Sequence, residues 1–93
     1  MIEFNQHQLR LWHEMLTSIE DFRQGKIKYF DFVGSLEGAL DAGEFREKTL
    51  VKNWYEVWTP LESVRAQKGN DVTIEEVKKY ISDMEKFLIS AIQ

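Results

Sequence analysis

The sequence predicts an all-α fold, an antiparallel four-helix bundle, and three observations carry that reading. Apolar residues return at three- and four-residue steps in four separate segments. Short turns, marked by Gly25, Gly43 and Gly69, join those segments, as neighbouring antiparallel helices require. The one stretch of alternation, Ile27 to Phe32, is short and lies at a helix entrance rather than in a strand. A chain of 93 residues supports one core, so residues 1–93 read as a single helical domain.

The first helix is expected from Gln6 to Arg23, with Leu9, Trp12, Leu16, Ile19 and Phe22 as its stripe and Leu11 and Met15 widening it. Asn5 can cap it, Gln8 stands three residues on as the partner in a capping box, and Phe4 can staple onto Leu9. Gly25 supplies a left-handed residue after the end, and Arg23 lies in the last turn, where a cation suits the helix dipole.

The second helix spans Tyr29 to Ala42, with Tyr29, Phe32, Val33, Leu36 and Leu40 apolar and Gly43 ending it. Gly34 and Gly38 inside it each cost up to about 1 kcal/mol against alanine, so packing must hold this helix. The third segment, Glu44 to Lys68, keeps helical spacing through Leu50, Trp54, Val57, Trp58, Leu61 and Val64, although residues 43–48 also read as loop. Pro60 interrupts it; an interior proline costs about 3 kcal/mol, which predicts a kink or a break there. The fourth helix has the clearest start: Thr73 caps, Glu76 completes the box and Val72 can staple onto Val77. Its stripe, Val77, Tyr80, Ile81, Met84, Leu88 and Ala91, runs to the C-terminus.

Composition removes several functions. With no cysteine there is no disulfide scaffold, no iron–sulfur cluster and no cysteine-ligated zinc. No apolar run reaches the length of a membrane span, and the first residues lack a signal-peptide pattern; the expected setting is the cytoplasm, away from the membrane. His7 and His13 stand six residues apart, about 120° around one helix, and cannot share a metal. The serines carry no nucleophile-elbow motif, and the glycines form no phosphate loop. We therefore expect a chain that is not an enzyme and uses no cofactor and no metal. Dispersed lysines and a net charge of −4 also argue against nucleic acid. The three tryptophans read as core rather than as a ligand pocket.

The acidic residues are distributed unevenly. Tyr29 to Glu44 holds Asp31, Glu37, Asp41 and Glu44 and no base. Glu37, Asp41 and Glu44 follow helical spacing and would share a face, Asp31 would lie alongside, and Gly34 and Gly38 would leave that face low and open. Like charges three and four apart repel by a few tenths of a kcal/mol per pair, which a basic partner would relieve. Phe30 falls near the same outer face and Tyr55 on the flank of the Trp54/Trp58 face, so both are candidate anchors. The alternative is a face that is merely solvated.

The stretch DFRQGKIKYFDFVGSLEGAL from Asp21, followed by WYEVWTPLESVRA, resembles a group of short bacterial helical proteins, some of which resemble immunity proteins of toxin systems. Gly25, Ile27, Leu36, Glu37, Leu40, Trp54, Trp58 and Leu61 carry the resemblance; these are packing positions, which specify a fold better than an activity. Pro60, Gly34 and Gly38 depart from it. In size, acidity and helix count the chain is also similar to the nuclease-colicin immunity proteins, but it lacks their adjacent tyrosine pair, so none of their binding residues transfers. What the resemblance implies is an immunity-type inhibitor of a cognate bacterial toxin; the acidic face would then cover a basic surface of that protein partner, a nuclease for example. A self-associating structural or adaptor bundle, a homodimer for example, is the second expectation.

Overall fold

The computed structural model describes residues 3–93 as α1 (Gln6–Arg23), α2 (Tyr29–Gly43), α3 (Lys48–Lys68) and α4 (Ile74–Ile92). Helix α1 packs against α2 and α4, and α3 packs against the same two helices, with no close backbone approach across either diagonal. Among the described residues there is no strand, and no helix is long and apolar enough to cross a membrane.

The predicted caps form where the side-chain chemistry placed them. Asn5 and Gln8 make both bonds of the α1 capping box, and Thr73 and Glu76 make both bonds of the α4 box. Gly25 takes a φ of +77°, the left-handed region that a side chain resists. Phe4, however, does not staple onto Leu9. Its ring lies 5.0 Å from Trp12, while Leu9 is exposed, because a larger aromatic surface was within reach.

Two boundaries differ from the sequence reading. Helix α2 runs one residue further, to Gly43, and α3 starts at Lys48 instead of Glu44, so residues 44–47 form the connection. Gly43 is glycine for a reason other than its φ: a Cβ there would collide with the edge of the Phe45 ring. The ring of Phe45 folds back over Gly43 to meet Phe4 at 5.6 Å and Trp12 at 5.3 Å, both edge-on. Glu44 then takes the left-handed C-cap position, φ 49° and ψ 47°. Helix α3 runs from Lys48 to Lys68 with Pro60 inside it, so the chain does not split into two helices there.

The core is aromatic, and its polar handles tie helices together. Trp12, Trp54 and Trp58 are all buried, as the sequence predicts. Trp12 Nε1–H donates to Leu88 O at 2.8 Å, Trp58 Nε1–H to Val33 O at 3.1 Å, and the Tyr29 hydroxyl to Leu61 O at 2.7 Å. Burial leaves the Tyr29 phenol well above its ordinary pKa, so it stays a donor. Trp54 Nε1 is the exception: it is buried with no acceptor among the described residues, while the ring stacks on Trp58 at 5.6 Å.

Glycine-weakened α2 is held from outside. Lys28, its N-cap residue, makes no side-chain cap; instead Asn70, in the turn between α3 and α4, accepts the Phe30 N–H at 2.8 Å. At the other end Gln8 Nε2 donates to Gly43 O at 3.0 Å, and His7 Nε2 lies 3.2 Å from Ala42 O. Orphan groups at both ends of α2 thus find partners on other segments.

Candidate protein-binding surface

The six residues singled out in the sequence divide into a cluster and two outliers. Glu37, half-buried, accepts a hydrogen bond from the Tyr55 hydroxyl at 3.1 Å. Tyr55 stands edge-on to both Trp54 and Trp58, at 5.1 and 5.7 Å, so its ring is fixed by the core while its hydroxyl reaches the α2 face. Burial, then the bond to Glu37, holds the Tyr55 phenol above its ordinary pKa. One turn further along, Asp41 and Glu44 are exposed. With Tyr55, Leu40, Phe45 and Val51 they line a hollow of about 150 Å³. Glu37, Asp41, Glu44 and Tyr55 therefore form one acidic surface with an apolar floor.

That surface works against its own helix in three ways. Asp41 and Glu44 repel each other. They also sit at the negative end of the α2 dipole, whose last turn carries no base. Glu44 moreover occupies a left-handed conformation that costs a non-glycine residue on the order of 1–2 kcal/mol. Among the described residues neither carboxylate has a cation within 4 Å.

Phe30 lies apart from the cluster. It is exposed, as the sequence suggests, but eleven residues of helix separate it from Asp41, about 16 Å along the axis. The Arg65 guanidinium stacks on its ring at 4.9 Å. Arg65 Nη2 also lies 2.6 Å from Glu62 Oε2, a close ion pair without the alignment of a hydrogen bond. Asp31 is exposed but six residues before Glu37, a third of a turn around α2, so it does not lie alongside the acidic face. The two glycines also differ: Gly38 faces open space, whereas a Cβ on Gly34 would meet the Arg65 guanidinium at 2.9 Å. The face is not low and open along its length, because α3 lays a cation across its first half.

Sequence reasoning missed Phe45, Arg65 and Asn70 at this surface. Phe45 sits in a connection where the sequence pattern predicts either a helix start or a loop, and Arg65 and Asn70 reach α2 from thirty or more residues away. No local spacing signals such contacts. His7 and His13 are both exposed, and among the described residues no group of three or more His, Asp or Glu side chains is placed to hold a metal ion. Compared with known proteins, the chain matches no family model, no curated protein and no solved structure.

Proposed function

We propose that this chain is a binding protein, an immunity-type inhibitor that neutralises a cognate bacterial toxin by covering a basic surface on it. The observation that carries the reading is the placement of Asp41 and Glu44 beside Tyr55: two carboxylates with no cation within 4 Å among the described residues, on a partly apolar hollow, at a helix end that disfavours them. A cationic partner removes the repulsion and the unfavourable dipole contact together, and the acidic field speeds its approach. A nuclease is the toxin class whose nucleic-acid-binding surface would offer that charge. Blocking would be steric and electrostatic, with no catalytic step, no cofactor and no contact with nucleic acid or membrane. The cysteine-free composition suits a cytoplasmic setting.

The test is a tagged pull-down from the native lysate at low and moderate salt, followed by affinity measurement on whatever stoichiometric protein is retained. The expected result is one basic protein, bound less tightly as salt rises and weakened on the order of tenfold or more by Asp41→Lys with Glu44→Lys. A retained partner whose affinity ignores that double reversal removes this surface from the interface.

A self-associating bundle is the second reading, and Gly38 favours it, being open to the close approach of another helix. Gly34 does not, since Arg65 already covers it. Sedimentation of the pure protein separates the two: the adaptor is an oligomer alone, and the inhibitor need not be.

We also propose the finer architecture behind this surface. An antiparallel order is supported by the pairing of Phe22 with Phe32 and His7 with Ala42, and of Phe30 with Arg65 and Glu37 with Tyr55. A kink in α3 is supported by Pro60 together with Thr59, whose hydroxyl bonds back to Tyr55 O at 2.7 Å.

A further inference from the structure

Helix-end electrostatics divide this bundle into two unlike halves. At one end every helix carries a charge that suits its dipole: Arg23 closes α1, Asp31 opens α2, Arg65 and Lys68 close α3, and Glu75 and Glu76 open α4. At the other end the first turns of α1 and α3 hold no acid and the last turns of α2 and α4 hold no base. Glu47 stands just outside α3 as its N-cap residue without capping it.

Three hollows lie at that second end, and a fourth, of about 460 Å³, lies on α4 between Glu75 and Lys86. The 150 Å³ hollow beside Asp41 shares Glu44 and Phe45 with a trough of about 640 Å³, which Glu3, Phe4 and His7 also line. The trough in turn shares Glu47 and Leu50 with a third hollow of about 480 Å³ that reaches Phe87 and Ala91 on α4. The three adjoin one another around the α2–α3 connection as a segmented channel, with Phe4, Phe45, Leu50 and Phe87 as its apolar lining and mostly polar atoms lining the largest of the three. Its rim bears Glu3, Asp41, Glu44 and Glu47, none with a cation within 4 Å among the described residues. Arg46 is the one lysine or arginine among the described residues that line the three hollows.

We propose that this channel seats an extended segment of a protein partner in which basic and apolar side chains alternate, arginine above lysine. It rests on the reading of the chain as a binding protein and extends the contact from the α2 face to the end of the bundle. The basic groups meet the four rim carboxylates, and the apolar ones cover the aromatic floor. Arginine fits both, since its fork pairs with carboxylates while its flat face lies on a phenyl ring such as Phe45. Alternation follows from the geometry of an extended strand, whose successive side chains point to opposite sides. The four rim acids repel phosphate, which excludes nucleic acid and anionic lipid as the occupant.

The experiment titrates the ¹⁵N-labelled full chain with a blocked hexapeptide of alternating arginine and leucine, and in parallel with its glutamate–leucine counterpart. The expected result is salt-sensitive amide shifts at Gly43, Glu44, Phe45, Glu47 and Leu50 with the first peptide alone, and a loss of affinity of about tenfold in Glu44→Lys with Glu47→Lys. Far-UV circular dichroism checks the fold of that variant, and Glu3→Lys with Glu47→Lys replaces it if Glu44→Lys unfolds. Absence of binding, shifts spread equally to Glu75 and Asp83, or indifference to the reversals each overturns the proposal. If a lysate partner depends on Asp41 but the peptide does not map to this end, only the channel is wrong. If the peptide maps here and no lysate partner is found, the inhibitor reading is what fails.

Discussion

Asn70 caps a helix from forty residues away in sequence: its Oδ1 accepts the Phe30 backbone N–H at 2.8 Å, doing for α2 what Lys28 at the N-cap position does not. The turn between α3 and α4 is thereby coupled to the helix with the poorest intrinsic propensity, the one that also carries most of the acidic surface.

Asn70→Ala should lower stability by about 1 kcal/mol, the usual cost of losing a cap. For a domain of this size that is a melting shift of roughly 4–8 °C. Adding Lys28→Asp, which restores a local cap, should recover part of the loss. Thermal unfolding of the single and double variants checks this; an unchanged midpoint in Asn70→Ala would show that the bond contributes nothing.

Gln8 serves two helices at once, accepting from Asn5 N–H through Oε1 and donating to Gly43 O through Nε2. Gln8→Glu keeps the acceptor, and with it the box, but sets an anion against a carbonyl at the negative end of α2. We expect it to be less stable than wild type by about 1–2 kcal/mol, although glutamate is a good box residue. Urea midpoints measure the difference, and equal midpoints would mean that the bond to Gly43 has no weight.

Gly43→Ala should cost about 1–3 kcal/mol, because the new methyl group collides with the Phe45 ring. Combining it with Phe45→Leu should cost less than the two single losses added, since the smaller side chain yields the space; a double-mutant cycle reads that coupling. Additive losses would place the Gly43 effect elsewhere.

Glu44→Gly should stabilise the protein by about 1 kcal/mol, relieving the left-handed strain and the repulsion at the α2 terminus. The same change should weaken binding of any basic partner, the trade expected where a site holds a residue its helix disfavours. A variant that is no more stable than wild type would remove the strain argument.

Acid stability should turn on Glu76. Its carboxyl is lowered to about 2, first by the bond from Lys68 and then by the Thr73 backbone N–H. A carboxyl whose folded pKa lies below its unfolded value stabilises the fold above the unfolded value and loses that contribution as pH falls. The loss should run from about pH 4.5 towards 2. Glu85, lowered by its bidentate pairing with Arg23 at 2.7 and 3.0 Å, adds in the same direction. Glu76→Gln keeps the box acceptor but not the charge, so its stability against pH should be flatter over that window. A curve parallel to wild type would show that the Lys68 pair is not coupled to folding.

The capping boxes of α1 and α4, the burial of Trp12, Trp54 and Trp58 and the apolar stripes, apart from exposed Leu9 on α1, were legible in the residues alone. Each depends on groups within one or two turns of one another, where spacing is geometry. The acidic character of α2 was legible for the same reason.

What surrounds that face was decided by chain segments remote in sequence. Arg65 lies over Gly34 and Phe30, Tyr55 bonds Glu37, and Phe45 folds back on Gly43 and so moves the left-handed position onto Glu44. Helical periodicity fixes the angle at which a side chain leaves its own axis. It contains nothing about which residue of another helix arrives there, because that depends on how whole helices settle against one core. The elements and their buried sides were therefore local properties of this sequence, whereas the shape and charge balance of its candidate surface came from packing.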